Sequence, residues 1–100
     1  MEIREVIREF MLLPAPSGYE KKMALAMKRW MDSYTDQVTI DRAGNVIATF
    51  PGSDPSAPKV MVFAHMDQLG LIVRKIEKNG LIHVDRMGGI PERVLAALNV

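Results

Sequence analysis

A chain of 100 residues, 48% hydrophobic and 25% charged, has the makeup of a soluble globular protein, with room for one ordinary domain or a piece of a larger one. Its 13 basic and 12 acidic side chains leave a net charge of +1, which gives no electrostatic reason for a nucleic-acid or membrane partner. Cysteine is absent, so disulfides, thiolate metal sites and cysteine nucleophiles are excluded and a reducing compartment is expected.

The N-terminus, Glu2-Ile3-Arg4-Glu5, is charged where a secretory signal needs a long apolar run. No apolar stretch is longer than that from Val60 to Ala64, which is far shorter than the roughly 20 residues of a membrane span. A cytoplasmic location is therefore expected. Residues Ile3, Val6, Ile7, Phe10 and Met11 recur at helical spacing and predict an amphipathic helix to about Leu13. Pro14 and Pro16 stop it, because proline lacks an amide donor and disfavours helix in the residue before it. Ser17-Gly18-Tyr19-Glu20 then reads as a capping box, with the Ser17 hydroxyl accepting from the Glu20 amide and the Glu20 carboxylate reaching back. A second helix follows, with Met23, Met27, Trp30, Met31 and Tyr34 on one face, ending near Asp36. That face could form a flexible binding groove, but a helix packed on a sheet is the simpler reading. Lys21-Lys22 and Lys28-Arg29 read as its solvated side.

Two strand patterns come next, Val38-Thr39-Ile40 and Val46 to Phe50, joined by Asp41-Arg42-Ala43-Gly44-Asn45, whose Gly and Asn suit a hairpin connection. Pro51 to Pro58 is an exposed loop. Lys59-Val60-Met61-Val62-Phe63-Ala64 is a continuous apolar run of the kind found in strands buried on both faces. A second hairpin is predicted from Leu71 to Glu77, a Lys78-Asn79-Gly80 turn, and Leu81 to Arg86. Its character differs from what precedes it, and a separate β-rich unit is expected to start near Gly70. Gly88-Gly89 marks a tight backbone passage, and Ile90-Pro91-Glu92-Arg93 begins another element. The sequence stops at Leu98-Asn99-Val100 inside an apolar run, where a polar terminus is usual, so a piece of a longer protein is expected.

The chemistry centres on Ala64-His65-Met66-Asp67, at the end of the predicted buried strand. In open α/β sheets ligands bind beyond the carboxyl ends of strands. Residues i and i+2 of an extended segment project to one side, so His65 and Asp67 share a face. A metal-bound imidazole usually has its second nitrogen fixed by a carboxylate, and Asp67 could supply it. One His and one Asp two apart also occur by chance, so an ordinary structural histidine stays open beside the metal reading. His83 lies mid-strand and is expected to face solvent. Ser17, Ser33, Ser53 and Ser56 sit in no nucleophile elbow, and no phosphate-loop pattern appears. Zinc takes about four ligands, so a complete centre cannot be assembled from these residues.

Taken in order, Pro14-Ala15-Pro16-Ser17-Gly18-Tyr19-Glu20, Asp41-Arg42-Ala43-Gly44-Asn45, Ala64-His65-Met66-Asp67-Gln68-Leu69-Gly70 and Gly88-Gly89-Ile90-Pro91 resemble the opening of a glutamyl or tetrahedral aminopeptidase. This is family forty-two of the metallopeptidases, some members of which are labelled endoglucanases. The His-x-Asp element is shared by related co-catalytic zinc exopeptidases; the Met-Asp-Gln-Leu-Gly and Gly-Gly-Ile-Pro segments point to this family in particular. The resemblance implies an α/β fold: the N-terminal part of a zinc-exopeptidase-like catalytic domain over residues 1–69, then the start of an inserted β-rich dimerisation domain over 70–100. It implies metal-dependent removal of N-terminal residues from peptides, by two divalent ions (zinc or cobalt) that activate water. By that match His65 is a metal ligand and Asp67 the catalytic-site aspartate that steers it. The family carries the bridging aspartate, the glutamate base and the other ligands downstream of residue 100, so this stretch alone is expected to be inactive. Homo-oligomers, dimers building dodecamers, are the implied assembly. The alternatives are a glycoside hydrolase acting on β-glucans, which needs a pair of carboxylates flanking the scissile bond, and a non-catalytic oligomerisation fragment.

Overall fold

A computed structural model describes residues 2–96 of the chain; the apolar end expected at Leu98–Val100 lies outside them. Helix α1 spans Ile3–Leu12 and α2 spans Lys21–Met31, followed by strands β1 (Val38–Ile40), β2 (Val46–Ala48), β3 (Gly70–Ile76) and β4 (Ile82–Met87) and a 3-10 turn at Glu92–Val94. The expected mixture of helix and strand is present. None of the described helices is long and apolar enough to cross a membrane.

Helix α1 begins where the Glu5 carboxylate accepts from the Glu2 amide at 3.2 Å, which satisfies one of the free donors of the first turn. It ends before Pro14, as predicted. Of its apolar stripe only Val6 is buried; Ile3, Ile7 and Met11 face outward. Helix α2 lies against β1 and β2 and buries Met23, Ala24 and Ala26, with Met27, Trp30 and Met31 half-buried beside them. The packed-helix reading therefore holds. The ring of Trp30 meets Phe10 edge-on at 6.5 Å and Tyr34 at 5.2 Å, tying the two helices together. The paired cations of α2 are not idle: Lys28 bonds Asp32 one turn on, and Arg29 bonds Glu9 of α1.

Two sequence-based boundaries shift. Helix α2 stops at Met31, five residues before Asp36, because the Ser33 hydroxyl takes the Trp30 carbonyl and the Thr35 hydroxyl takes that of Thr49. Strand β2 stops at Ala48, although the Thr49 amide still donates across the hairpin to the Gln37 carbonyl at 3.0 Å.

The β1–β2 hairpin pairs Val38 with Ala48 and Ile40 with Val46. Its turn is built on Asp41, whose Oδ1 accepts from the amides of Ala43 and Asn45 while Oδ2 accepts from the Asn45 side chain. The second hairpin forms over the expected spans: Gly70 faces Met87 and Ile76 faces Ile82, with a bulge between Val73 and Lys75. Gly80 closes its turn at φ +87°, which glycine reaches without a Cβ clash. Gly88 leaves β4 at φ +85°, and a Cβ there would lie 2.6 Å from Leu69 Cδ2, so the tight passage expected at Gly88-Gly89 is real.

The largest correction concerns Lys59–Ala64. The expected strand buried on both faces is absent: the segment joins no ladder, and Val60, Met61, Val62 and Phe63 are 83 to 92% exposed. An apolar run becomes a buried strand only when other strands and helices flank it, and residues 2–96 supply none there. The same shortage shows in the whole body. Its radius of gyration is 18.2 Å, against about 13 Å for a compact domain of this length. The buried apolar set is small: Val6, Ala15, Met23, Ala24, Ala26 and Val38.

Candidate metal centre

The site forms where the chain leaves the exposed apolar run and is caught by the loop between the helices. Gln68 is the catch. Its amide donates to the Ala15 carbonyl at 2.7 Å, its side-chain amide donates to the Phe10 carbonyl at 3.1 Å, and it forms an isolated parallel bridge with Pro16. These bonds fix the backbone of Asp67 relative to the α1–α2 loop. Pro16 also packs close over Gly70, where an added Cβ would sit 3.2 Å from the proline ring.

On this anchored segment His65 and Asp67 point to the same side, as their i and i+2 spacing predicts. His65 Nδ1 lies 2.9 Å from Asp67 Oδ1 and 3.1 Å from the Asp67 carbonyl oxygen. Both partners can only accept once the carboxyl is ionised, so Nδ1 carries the proton and donates. In the neutral ring the lone pair is then on Nε2, on a side chain that is 86% exposed. The other carboxylate oxygen, Asp67 Oδ2, accepts from the Ser17 hydroxyl at 2.6 Å. Ser17 first, and His65 after it, hold the Asp67 carboxyl below the usual carboxylate range, against a small opposing effect of desolvation. Asp67 is ionised at neutral pH.

Sequence reasoning placed His65 and Asp67 correctly together and missed Ser17. The hydroxyl was expected to cap α2. Instead Glu20 reaches back to the Gly18 amide at 2.7 Å, no side chain caps α2, and Ser17 turns to a residue fifty positions away. The only signal for it was its place inside one of the ordered segments that carry the family resemblance. His83 faces outward as expected, with Nε2 3.2 Å from Glu77 Oε1 on its own hairpin, and takes no part in the centre.

A cleft of about 500 Å³ opens beside the ring, between the start of α2 (Lys21, Leu25), the β1–β2 turn (Arg42, Asn45) and residues Ala64–Asp67. An imidazole whose Nδ1 is held by Asp67 and whose Nε2 is left outside that contact suits one ligand position of a divalent metal. It does not complete a centre: among the described residues no three His, Cys, Asp or Glu side chains converge.

A fixed His-x-Asp pair at the mouth of a cleft, on a mixed helix and strand scaffold, is the type of element metal-dependent hydrolases use. The family model for the M42 glutamyl aminopeptidase matches residues 44–100, more than half of the chain, and the chain belongs to that family. A lysyl aminopeptidase of Pyrococcus furiosus is 41% identical over 97 residues, covering 92% of this chain and 26% of the relative. Among solved structures, a TET aminopeptidase from a marine-sediment thaumarchaeon superposes with a TM-score of 0.81 at 32% identity, over 92% of this chain and 25% of that one. A Thermotoga maritima protein described as an endoglucanase superposes with a TM-score of 0.80 at 37% identity, over 89% of this chain and 28% of that one. The chain thus spans about a quarter of the length of the relatives it matches. The β-glucan alternative is not favoured, since the family and the Pyrococcus relative are aminopeptidases and the endoglucanase description belongs to the Thermotoga protein.

Proposed function

We propose that the chain is the N-terminal part of a metal-dependent aminopeptidase, in which His65 ligates one of two divalent ions, zinc or cobalt, through Nε2. The observation that carries this reading is the double commitment of His65 Nδ1 to Asp67, which leaves Nε2 as the free donor. Bound divalent ions supply Lewis acidity, lowering the pKa of a water toward about 7 and polarising the scissile carbonyl. The chain's own residues prepare for that. His65 offers an oriented lone pair, Asp67 holds the ring and adds negative charge behind it, and the cleft beside it receives the end of a peptide. A two-metal centre also needs further ligands, a bridging carboxylate and a general base, and among the described residues no cluster supplies them. Residues 1–69 are the opening of the catalytic domain and residues 70–100 the start of an inserted β-rich dimerisation domain; the pairing of β3 and β4 in a sheet of their own supports that division. Assembly of the whole protein into dimers and larger shells is the reading the TET neighbour supports. The lack of cysteine supports a cytoplasmic location.

The test uses the full-length protein with zinc or cobalt. Release of the N-terminal residue from aminoacyl-anilides, abolished by chelator and by N-acetylation of the substrate, is expected. Cleavage of the blocked substrate at the same rate defeats the reading. His65→Ala is expected to remove one metal per protomer by elemental analysis, and an unchanged stoichiometry refutes the ligand assignment.

A further inference from the structure

We infer that Ser17 is a positioning residue for the metal centre: its hydroxyl locks the Asp67 carboxylate in the one orientation that keeps the His65 ring aimed outward. The inference rests on the reading of His65 as a ligand and adds a third member to the chain of contacts behind it. An ionised carboxylate has no proton to give, so in the 2.6 Å contact Ser17 Oγ is the donor and Asp67 Oδ2 the acceptor. Asp67 is then held at both ends, Oδ2 by Ser17 and Oδ1 by His65 Nδ1, so its side chain cannot turn about χ1 without breaking both bonds.

What makes Ser17 suited to this is the rigidity of its backbone. The residue before it, Pro16, is bridged to Gln68; the residue before that, Ala15, is buried and accepts the Gln68 amide. The Tyr19 amide donates to the Pro16 carbonyl at 2.8 Å, so Ser17 and Gly18 are the centre of a closed turn, with Gly18 at φ +85°. The hydroxyl therefore hangs on one rotatable side-chain bond from a loop stitched to the segment that bears the site. Among the described residues it has no other hydrogen-bond partner. Without it, His65 Nδ1 would still reach the Asp67 carbonyl, but the carboxylate would be free to turn to water, and an exposed imidazole with one weak tether can flip and exchange tautomers.

The experiment compares Ser17→Ala and Ser17→Thr in the full-length protein. Nitrogen-15 spectra of the metal-free protein should show His65 in a single Nδ1–H state in the wild type and in Ser17→Thr, and a mixture of tautomers in Ser17→Ala. Zinc titration should show affinity about tenfold weaker in Ser17→Ala at unchanged stoichiometry, the lower end of the usual range for loss of an outer-sphere partner, with Ser17→Thr restoring it. Equal impairment of both variants would assign the effect to packing and overturn the inference, as would a Ser17→Ala protein with wild-type affinity and tautomer. Failure of the ligand assignment looks different: His65→Ala would then keep its full metal content whatever Ser17 does. The tautomer readout needs no metal at all.

Discussion

The segments on either side of His65 meet opposite fates. Lys59–Ala64, before it, is apolar from Val60 onward, yet it stands unpaired and exposed. Gly70–Ile76, after it, carries two charges, Arg74 and Lys75, yet forms an antiparallel ladder broken only by the bulge between Val73 and Lys75. Apolar content does not make the difference. Strand β3 has a partner six residues further on and a glycine turn to reach it, so the pairing closes a short loop at little entropic cost. Lys59–Ala64 has the proline-rich loop before it and no complementary strand within the described residues. Local hairpins form from local information; an apolar run becomes a buried strand only where other elements flank it.

Amide exchange should show this contrast most strongly. Val60–Phe63 amides are expected to exchange near the free-peptide rate, and those of the β3–β4 ladder at least about tenfold more slowly, as backbone bonds closed by a hairpin open only by local unfolding. Equal rates in the two segments would break the comparison. A smaller effect concerns the two ends of the second hairpin. Gly80→Ala adds a Cβ that meets open space and pays only for its positive φ, about 1 kcal/mol. Gly88→Ala pays the same and must also displace the Leu69 side chain, about 2 kcal/mol in all by denaturant titration. Equal costs would show that Leu69 yields freely.

The gentlest probe is pH. The Asn45 side chain, above all, holds the Asp41 carboxyl below its ordinary value in the β1–β2 turn. A folded-state pKa below the unfolded one means that the carboxylate supports the turn at any pH above the unfolded value, about 3.9, and that this support fades as pH falls through the folded value. Protection of the Ala43 and Asn45 amides should therefore be flat from neutral pH down to about 4 and decline below it. A decline beginning near pH 6 would implicate a different group.

Much of this was legible in the sequence because the signals are short-range. The i, i+3, i+4 spacing of Ile3, Val6 and Ile7, the prolines after α1, the Asp41–Asn45 connection and the Asn79-Gly80 turn all act within a few residues. The pairing of His65 with Asp67 was legible for the same reason, since the two residues are only two positions apart. What escaped was the partner of each group with more than one option. The Ser17 hydroxyl could cap a helix or reach a distant carboxylate, and the fold brings the carboxylate. Ser33 and Thr35 could continue α2 or bond backbone carbonyls, and they do the latter. The burial expected for Lys59–Ala64 depended on neighbours no local pattern could supply.

The direction of the His65 ring has a consequence for the order of events. Its inner nitrogen is occupied by the chain itself, so any cation that binds there must come from the solvent side along a single line of approach. The freedom of the ring is surrendered when the chain folds and not when the ion arrives, so capture need not wait for the side chain to find its pose.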